Sequence, residues 1–282
     1  MATSAATHPE LALVGSSDAH TGIASFEEDN FFGKTTPQEP SAHRMTATFM
    51  NNKKTGVKIM DWEVVSSGYA VAWAEENTRA SIFDAMYRKE TYATTGSRLI
   101  VRFFGGWDFE TADANSREPA VIGYRKGVPM GGDLHAAGSA KAPTFLAAAM
   151  KDPLSGNLDR IQIIKGWLDA KGDVHEKVYD VAWSGNRKPD AKGKLPSVGN
   201  TVDIANATWS NTIGAPELIT VWKDPDFDAK QRAFYYVRVI EIPTPRWTAY
   251  DAKKFGTKPA PGTRMTTTER AYTSPIWYNP AK

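Results

Sequence analysis

Leu11-Ala-Leu-Val-Gly-Ser-Ser-Asp-Ala-His-Thr-Gly22 is the stretch on which the reading of the chain turns. The apolar run Leu11 to Val14 predicts a buried strand, and Gly15 breaks it. Asp18 and His20 follow, one residue apart. A carboxylate and an imidazole at this spacing, just past a strand end, can both turn toward one bound cation. Two ligands fall short of a catalytic site, which typically takes about three protein ligands plus water. Metal chemistry at this stretch therefore needs partners from elsewhere, and the competing reading is a pair of surface polar residues.

Composition bounds the rest. The chain has 282 residues, 41% apolar and 23% charged, a globular balance with room for one large or two medium domains. A net charge of +2 gives no concentrated positive field for nucleic acid or an anionic membrane. There is no cysteine, so disulfides and thiolate-bound zinc are excluded, while the compartment stays open, an exported or periplasmic protein included. No apolar run is long enough to span a bilayer, and Met1-Ala-Thr-Ser-Ala-Ala-Thr-His8 lacks the charged and apolar regions of a secretory signal. Nine Trp, ten Tyr and twelve Phe suit pleated, half-buried surfaces.

Residues 1 to 10 read as a ragged lead-in. Phe26 to Lys34 is acidic and aromatic together, and the polar, Pro-containing segment from Thr35 to Asn52 reads as loop. Trp62 to Trp73 reads as an extended or short apolar element. The spacing predicts a helix over Asn77 to Lys89, capped by Asn77 or Thr78. Ile82, Phe83, Met86 and Tyr87 lie at intervals of three and four, and Arg88 and Lys89 sit in the last turn. Thr94 to Ser97 then turns the chain, and a boundary is placed near residues 92 to 97.

Downstream the texture is that of strands: Arg98 to Phe104, Thr144 to Met150, Leu158 to Leu168, His175 to Trp183, Leu218 to Trp222, Ala233 to Ile242 and Tyr272 to Tyr278. Residues 105 to 140 read as largely irregular. Lys171-Gly172-Asp173 is a hairpin signal. Strand after strand without intervening helix argues for an antiparallel β-sandwich.

Other candidate sites are weaker. Glu27, Glu28 and Asp29 can add a carboxylate or a supporting bond to a metal site, or form a solvated acidic turn. Gly132-Asp-Leu-His135 brings Asp and His together in a Gly-rich loop, with no second His at the next alternate position, and reads as a decoy. Asp224-Pro-Asp-Phe-Asp228 spaces oxygens like a calcium loop but lacks its Gly and its closing Glu, and reads as a turn. His175 sits in a strand, and the basic run Arg187 to Lys194 reads as a solvated loop. No phosphate-cradling glycine loop and no serine nucleophile elbow is present.

Gly15-Ser-Ser-Asp-Ala-His20, Glu28-Asp-Asn-Phe-Phe-Gly-Lys34 and Thr91-Tyr-Ala-Thr-Thr-Gly96 occur in this order. They are followed by Asn157-Leu-Asp-Arg-Ile-Gln-Ile-Ile-Lys-Gly-Trp167, Val178-Tyr-Asp-Val-Ala-Trp183, the run from Ala233 to Trp247, and Ser274-Pro-Ile-Trp-Tyr278. With them the chain resembles the family called domain of unknown function 3604 over nearly its whole length. That family is similar to the polymerase and histidinol phosphatase (PHP) superfamily of metal-dependent hydrolases.

The resemblance implies a distorted β/α barrel with His and Asp ligands for a cluster of divalent ions of the Zn, Mn or Fe class. Its last metal motif, Asp-x-His, maps onto Asp18 and His20. It implies cleavage of a small ester or phosphoester by metal-bound hydroxide. The family's opening motif, Gly-Asp-Leu-His-x-His, belongs upstream of Asp18 and is absent. Gly132-Asp-Leu-His135 repeats its first half, with Ala137 at the second His. The expected fold is accordingly α+β. Residues 1–96 form the C-terminal remnant of a PHP-like barrel whose N-terminal portion is missing, and residues 97–282 form an accessory, mainly antiparallel β-sandwich. Alone, this C-terminal portion of a hydrolase is expected to be inactive. The alternative is a non-catalytic β-rich binding or interaction module, with exposed Trp residues as its platform.

Overall fold

Along Ala233–Glu241 every second residue, from Ala233 through Tyr235, Val237 and Val239 to Glu241, is buried, and those between are half-buried. This period of two is the mark of a strand with one face on a core. The computed structural model describes residues 11–23, 25–65, 67–136 and 141–280. The expected lead-in at residues 1–10 and Ala137 lie outside the described residues.

The elements run in the order β1 (Thr48–Asn52), β2 (Val57–Met60), β3 (Tyr69–Ala72), α1 (Arg79–Tyr87), β4 (Thr91–Thr94), β5 (Ile100–Gly106), α2 (Pro119–Lys126), β6 (Gly127–Pro129), β7 (Asp133–His135) and β8 (Thr144–Met150). They continue with β9 (Leu158–Leu168), β10 (Val174–Trp183), β11 (Glu217–Lys223), β12 (Ala233–Glu241), β13 (Thr244–Pro245), α3 (Trp247–Phe255), β14 (Thr266–Thr267), β15 (Arg270–Thr273) and β16 (Ile276–Asn279). The larger sheet has the order β10-β9-β12-β15-β4-β3, with β16 also paired to β12 and β7 to β16. The smaller sheet has the order β11-β8-β5-β6. Among these pairings only β7 with β16 is parallel.

The two sheets close on one core. Val101, Phe103, Phe145 and Ala147 of the smaller sheet meet Ile161, Ile163, Tyr235, Val237 and Val239 of the larger one. Each large side chain buried there contributes roughly 1.5–3 kcal/mol, so the contact between sheets holds the fold. On the outer face of the smaller sheet, α2 covers Phe104, Phe109 and Leu146. Gly123 permits that approach, since a Cβ there would stand 2.3 Å from the Phe104 ring.

A satellite cluster of Phe31, Met45 and Trp247 joins α3 to the loop before β1. Arg44 locks it. Its Nε and Nη2 donate to Asp251 at 2.5 and 2.8 Å, and its Nη1 donates to the carbonyls of Phe31 and Gln38 at 2.7 and 3.1 Å.

The expected α+β fold with a β/α-barrel remnant is corrected. Among the described residues the fold is mostly antiparallel sheet, with three short α-helices and no closed barrel. Before residue 97, β3 and β4 pair antiparallel with each other, and β4 continues the larger sheet through β15. A barrel needs parallel strands joined by helices packed on them. Here α1 leaves Ile82, Phe83, Met86 and Tyr87 exposed rather than laid on a sheet. Leu11 to Val14 is not a strand either. Leu11 and Val14 are exposed, and Leu13 is held by side chains, donating to Ser274 Oγ at 2.9 Å and accepting from Thr91 Oγ1 at 2.9 Å. Without a backbone ladder partner, an apolar run alone does not make a strand.

Candidate functional site

The segment carrying Asp18 and His20 is laid against the edge of the larger sheet. Gly15 makes this possible, because a Cβ there would meet the Tyr69 carbonyl oxygen at 2.1 Å. Asp18 takes a left-handed backbone, φ 53°, a conformation that Asp tolerates better than most residues. The His20 N–H donates to the Lys34 carbonyl at 2.8 Å, which fixes the far side of the turn. His20 Nε2 and Asp18 Oδ1 then lie 3.1 Å apart, and Lys34 Nζ binds Asp18 Oδ2. Hydrogen bonds from Lys34 and then His20 hold the Asp18 carboxyl below its usual range.

Two ligands each about 2.1 Å from a shared ion, at the roughly right angles of octahedral coordination, stand about 3 Å apart. The Asp18–His20 separation fits that geometry, and without an ion the same separation is a hydrogen bond. Among the described residues no group of three or more His, Asp or Glu side chains is placed to hold a metal ion. The donor set thus fits two ligands of a site.

The other sequence candidates take structural parts. Glu27 pairs with Arg98 at 3.2 Å, and Glu28 Oε2 accepts the Trp247 N–H at 2.6 Å, capping α3. Asp133 and His135 lie in edge strand β7, where Asp133 accepts from Asn279 at 3.0 Å. Asp224 is buried against Lys165 Nζ at 2.7 Å, and Asp226 pairs with Lys177 at 2.6 Å. His175 pairs with Asp169 at 3.0 Å and stacks on Trp167.

A second centre has no counterpart in the sequence reading. Arg246 joins β13 to α3, and Arg264 and Arg270 flank β14 on either side. All three line one cavity of about 530 Å³, together with Ser67, Thr95, Thr266, Thr267, Thr268, Glu28, Glu63 and Glu269. Arg246 is buried and its Nη1 has no hydrogen-bond partner. Glu28 and Glu269 also line an adjoining cavity of about 300 Å³ with Ser97, Asp152 and Ser155. Burial, then repulsion from Glu269, pushes Glu28 up to about 7, against the Trp247 N–H and Arg246, which pull it down. Burial also raises Glu269, and it pushes Glu241, bonded to Ser155, up to about 8.

The chain matches the family described as protein of unknown function (DUF3604) over residues 4–280. It belongs to that family. No curated protein and no solved structure matches it. In this DUF3604 chain the tryptophans give no exposed platform: Trp247 is buried and the other eight are half-buried. Among the described residues no helix is long and apolar enough to cross a membrane. Arg246 does stand inside the stretch from Ala233 to Trp247 that carries the family resemblance. Its lack of a partner, however, is a property of the packing around it and leaves no trace in spacing.

Proposed function

We propose that this DUF3604 chain is related to the PHP superfamily and is the C-terminal portion of a metal-dependent hydrolase acting on a small ester or phosphoester. The observation that carries the reading is the convergence of Asp18 Oδ1 and His20 Nε2, 3.1 Å apart on a turn seated by Gly15. Asp18 and His20 are two ligands of a divalent ion of the Zn, Mn or Fe class. Such an ion polarises an ester oxygen and lowers the pKa of its water. Lys34, bound to Asp18 Oδ2, keeps the carboxylate ionised and oriented. The remaining ligands come from polypeptide outside the described residues, and the chain alone holds metal weakly and turns over little or no substrate.

The test is metal content. The chain is equilibrated with Zn²⁺ or Mn²⁺, passed through a desalting column and measured by plasma mass spectrometry. Weak, substoichiometric binding that disappears in both Asp18→Ala and His20→Ala is expected. Equal metal content in all three proteins overturns the ligand assignment. Stoichiometric metal with enzyme-like hydrolysis of a generic phosphodiester by this chain alone overturns the requirement for further ligands.

A further inference from the structure

We propose that the cavity framed by Arg246, Arg264 and Arg270 binds a phosphate-class oxyanion, as inorganic phosphate or as the phosphate of a small monoester.

The first argument is unpaired charge. None of the three guanidinium groups makes a side-chain hydrogen bond or ion pair among the described residues, although all three line the same cavity. Arg264 is exposed and Arg270 half-buried, and water can serve them. Arg246, at 6% exposure, has an Nη1 without a hydrogen-bond partner, and its guanidinium lies 5.4 Å from the centre of the Trp247 ring. A guanidinium does not shed its proton in a protein. Glu28 acts on that of Arg246 electrostatically without forming an ion pair, so the buried charge is incompletely compensated, and the cost falls when an anion enters.

The second argument is that the neighbouring carboxylates do not do this work. Glu28, Glu63 and Glu269 share the cavity wall but lie beyond ion-pair distance of all three arginines. They are turned to other donors: Glu28 to the Trp247 N–H at 2.6 Å, Glu63 to the Met60 N–H at 2.8 Å, and Glu269 to the Thr95 hydroxyl. Burial raises Glu28 to about 7, which lowers its negative charge near neutral pH and with it the repulsion of an incoming anion, and burial raises Glu269 in the same direction.

The third argument is shape and donor type. Guanidinium forks match phosphate oxygens in pairs, and three of them suit a group with oxygens on several sides. Thr266 and Thr268 add hydroxyls that have no protein partner among the described residues. Arg246 is fixed on a rigid frame, since its N–H donates to the Met265 carbonyl at 3.0 Å beside the β13–β14 pair. The volume exceeds that of a lone phosphate and falls in the range of small-molecule sites, so an organic group has room beside it.

The proposal is independent of the Asp18–His20 reading, and its test is run in EDTA so that the two fail separately. Inorganic phosphate is titrated into the chain at low salt by calorimetry, with phosphorus NMR as a second readout. One saturable site is expected, at least tenfold weaker in Arg264→Gln, a surface change that spares the fold, and also in Arg246→Gln. Lys192→Gln, in the exposed loop Arg187 to Lys194, leaves the affinity unchanged. Phenyl phosphate binding at least tenfold tighter than phosphate assigns the site to a monoester, and equal binding assigns it to the free anion. The proposal is overturned if no saturable site is found, if Arg264→Gln binds as the parent does, if Lys192→Gln weakens binding equally, or if acetate binds as tightly as phosphate.

Discussion

Lys165 and Arg246 are both buried cations, at 2% and 6% exposure, and their surroundings are opposite. Lys165 Nζ donates to Asp224 Oδ2 and to the Asp226 carbonyl, each at 2.7 Å, and the Tyr235 hydroxyl donates to the same Asp224 oxygen at 2.7 Å. That centre is electrically complete and lies between β9, β12 and the turn after β11. Arg246 forms no ion pair among the described residues, and Glu28 acts on it only electrostatically, beyond ion-pair distance. A buried charge that the fold satisfies is a structural part. One that the fold leaves unsatisfied marks a place built for something else.

The contrast can be broken most easily at Lys165. Lys165→Met strands the Asp224 carboxylate and should cost about 3–5 kcal/mol in urea unfolding. Adding Asp224→Leu should recover most of the loss. A cost below about 1 kcal/mol for the single change would show that the pair contributes little.

The next effect comes from three largely buried glutamates, of which Glu28 and Glu269 line the arginine cavity. Glu28 is raised to about 7 and Glu241 to about 8, both first by burial, and Glu269 is raised as well. The folded chain therefore binds more protons than the unfolded one between the ordinary glutamate range and pH 8. Their stabilising contribution is full at low pH and is lost as pH rises through the folded values. Urea stability should fall by roughly a few kcal/mol from pH 5 to pH 8, and Glu241→Gln should flatten the profile. Stability rising over that window would refute the assignment.

Smaller, and opposite in sign to Lys165, is Arg246→Met. Removing a charge that has no partner should leave ligand-free stability unchanged or raise it by about 1 kcal/mol. A loss of about 3 kcal/mol or more would reveal a partner and abolish the distinction drawn between the two cations. The smallest effect is expected at Asp18→Ala. Asp18 and His20 are exposed, so the urea midpoint should not move although metal retention is lost.

Much of the sandwich is legible in the chain. Thr144–Met150 and Leu158–Leu168 are strands over the expected residues, and Gly172, at φ 85°, turns the chain between β9 and β10. Tyr272 to Tyr278 reads as one strand but divides into β15 and β16. The Ser274 N–H donates to the Thr91 carbonyl, and Pro275 has no N–H to continue a ladder. The helices are less legible. Thr78 caps α1 as its residue type suggests, accepting from the Ser81 N–H at 3.3 Å. But α2 and α3 depend on contacts from far away: the Phe104 ring under Gly123, the Glu28 carboxylate at the start of α3, and Arg44 on Asp251. The apolar run Leu11 to Val14 misleads for the converse reason, since hydrophobicity creates a tendency to be covered and only a neighbouring strand can cover it.

The same division holds for the two candidate sites. Asp18 and His20 are legible together because two residues of spacing already confine their side chains to one neighbourhood, whatever the rest of the chain does. Arg246, Arg264 and Arg270 are separated along the chain and meet only because β13 pairs with β14 and β15 enters the larger sheet beside β12. By itself the sequence determined the strand periods, the hairpin after Leu168, the acidic–imidazole pair and the family to which the chain belongs. The tertiary structure decided that the segment before residue 97 joins an antiparallel sheet, and that one buried cation is paired while another is not. Periodicity and short spacing are local and survive in one dimension. Strand partners and charge compensation are set between distant segments and exist only in three.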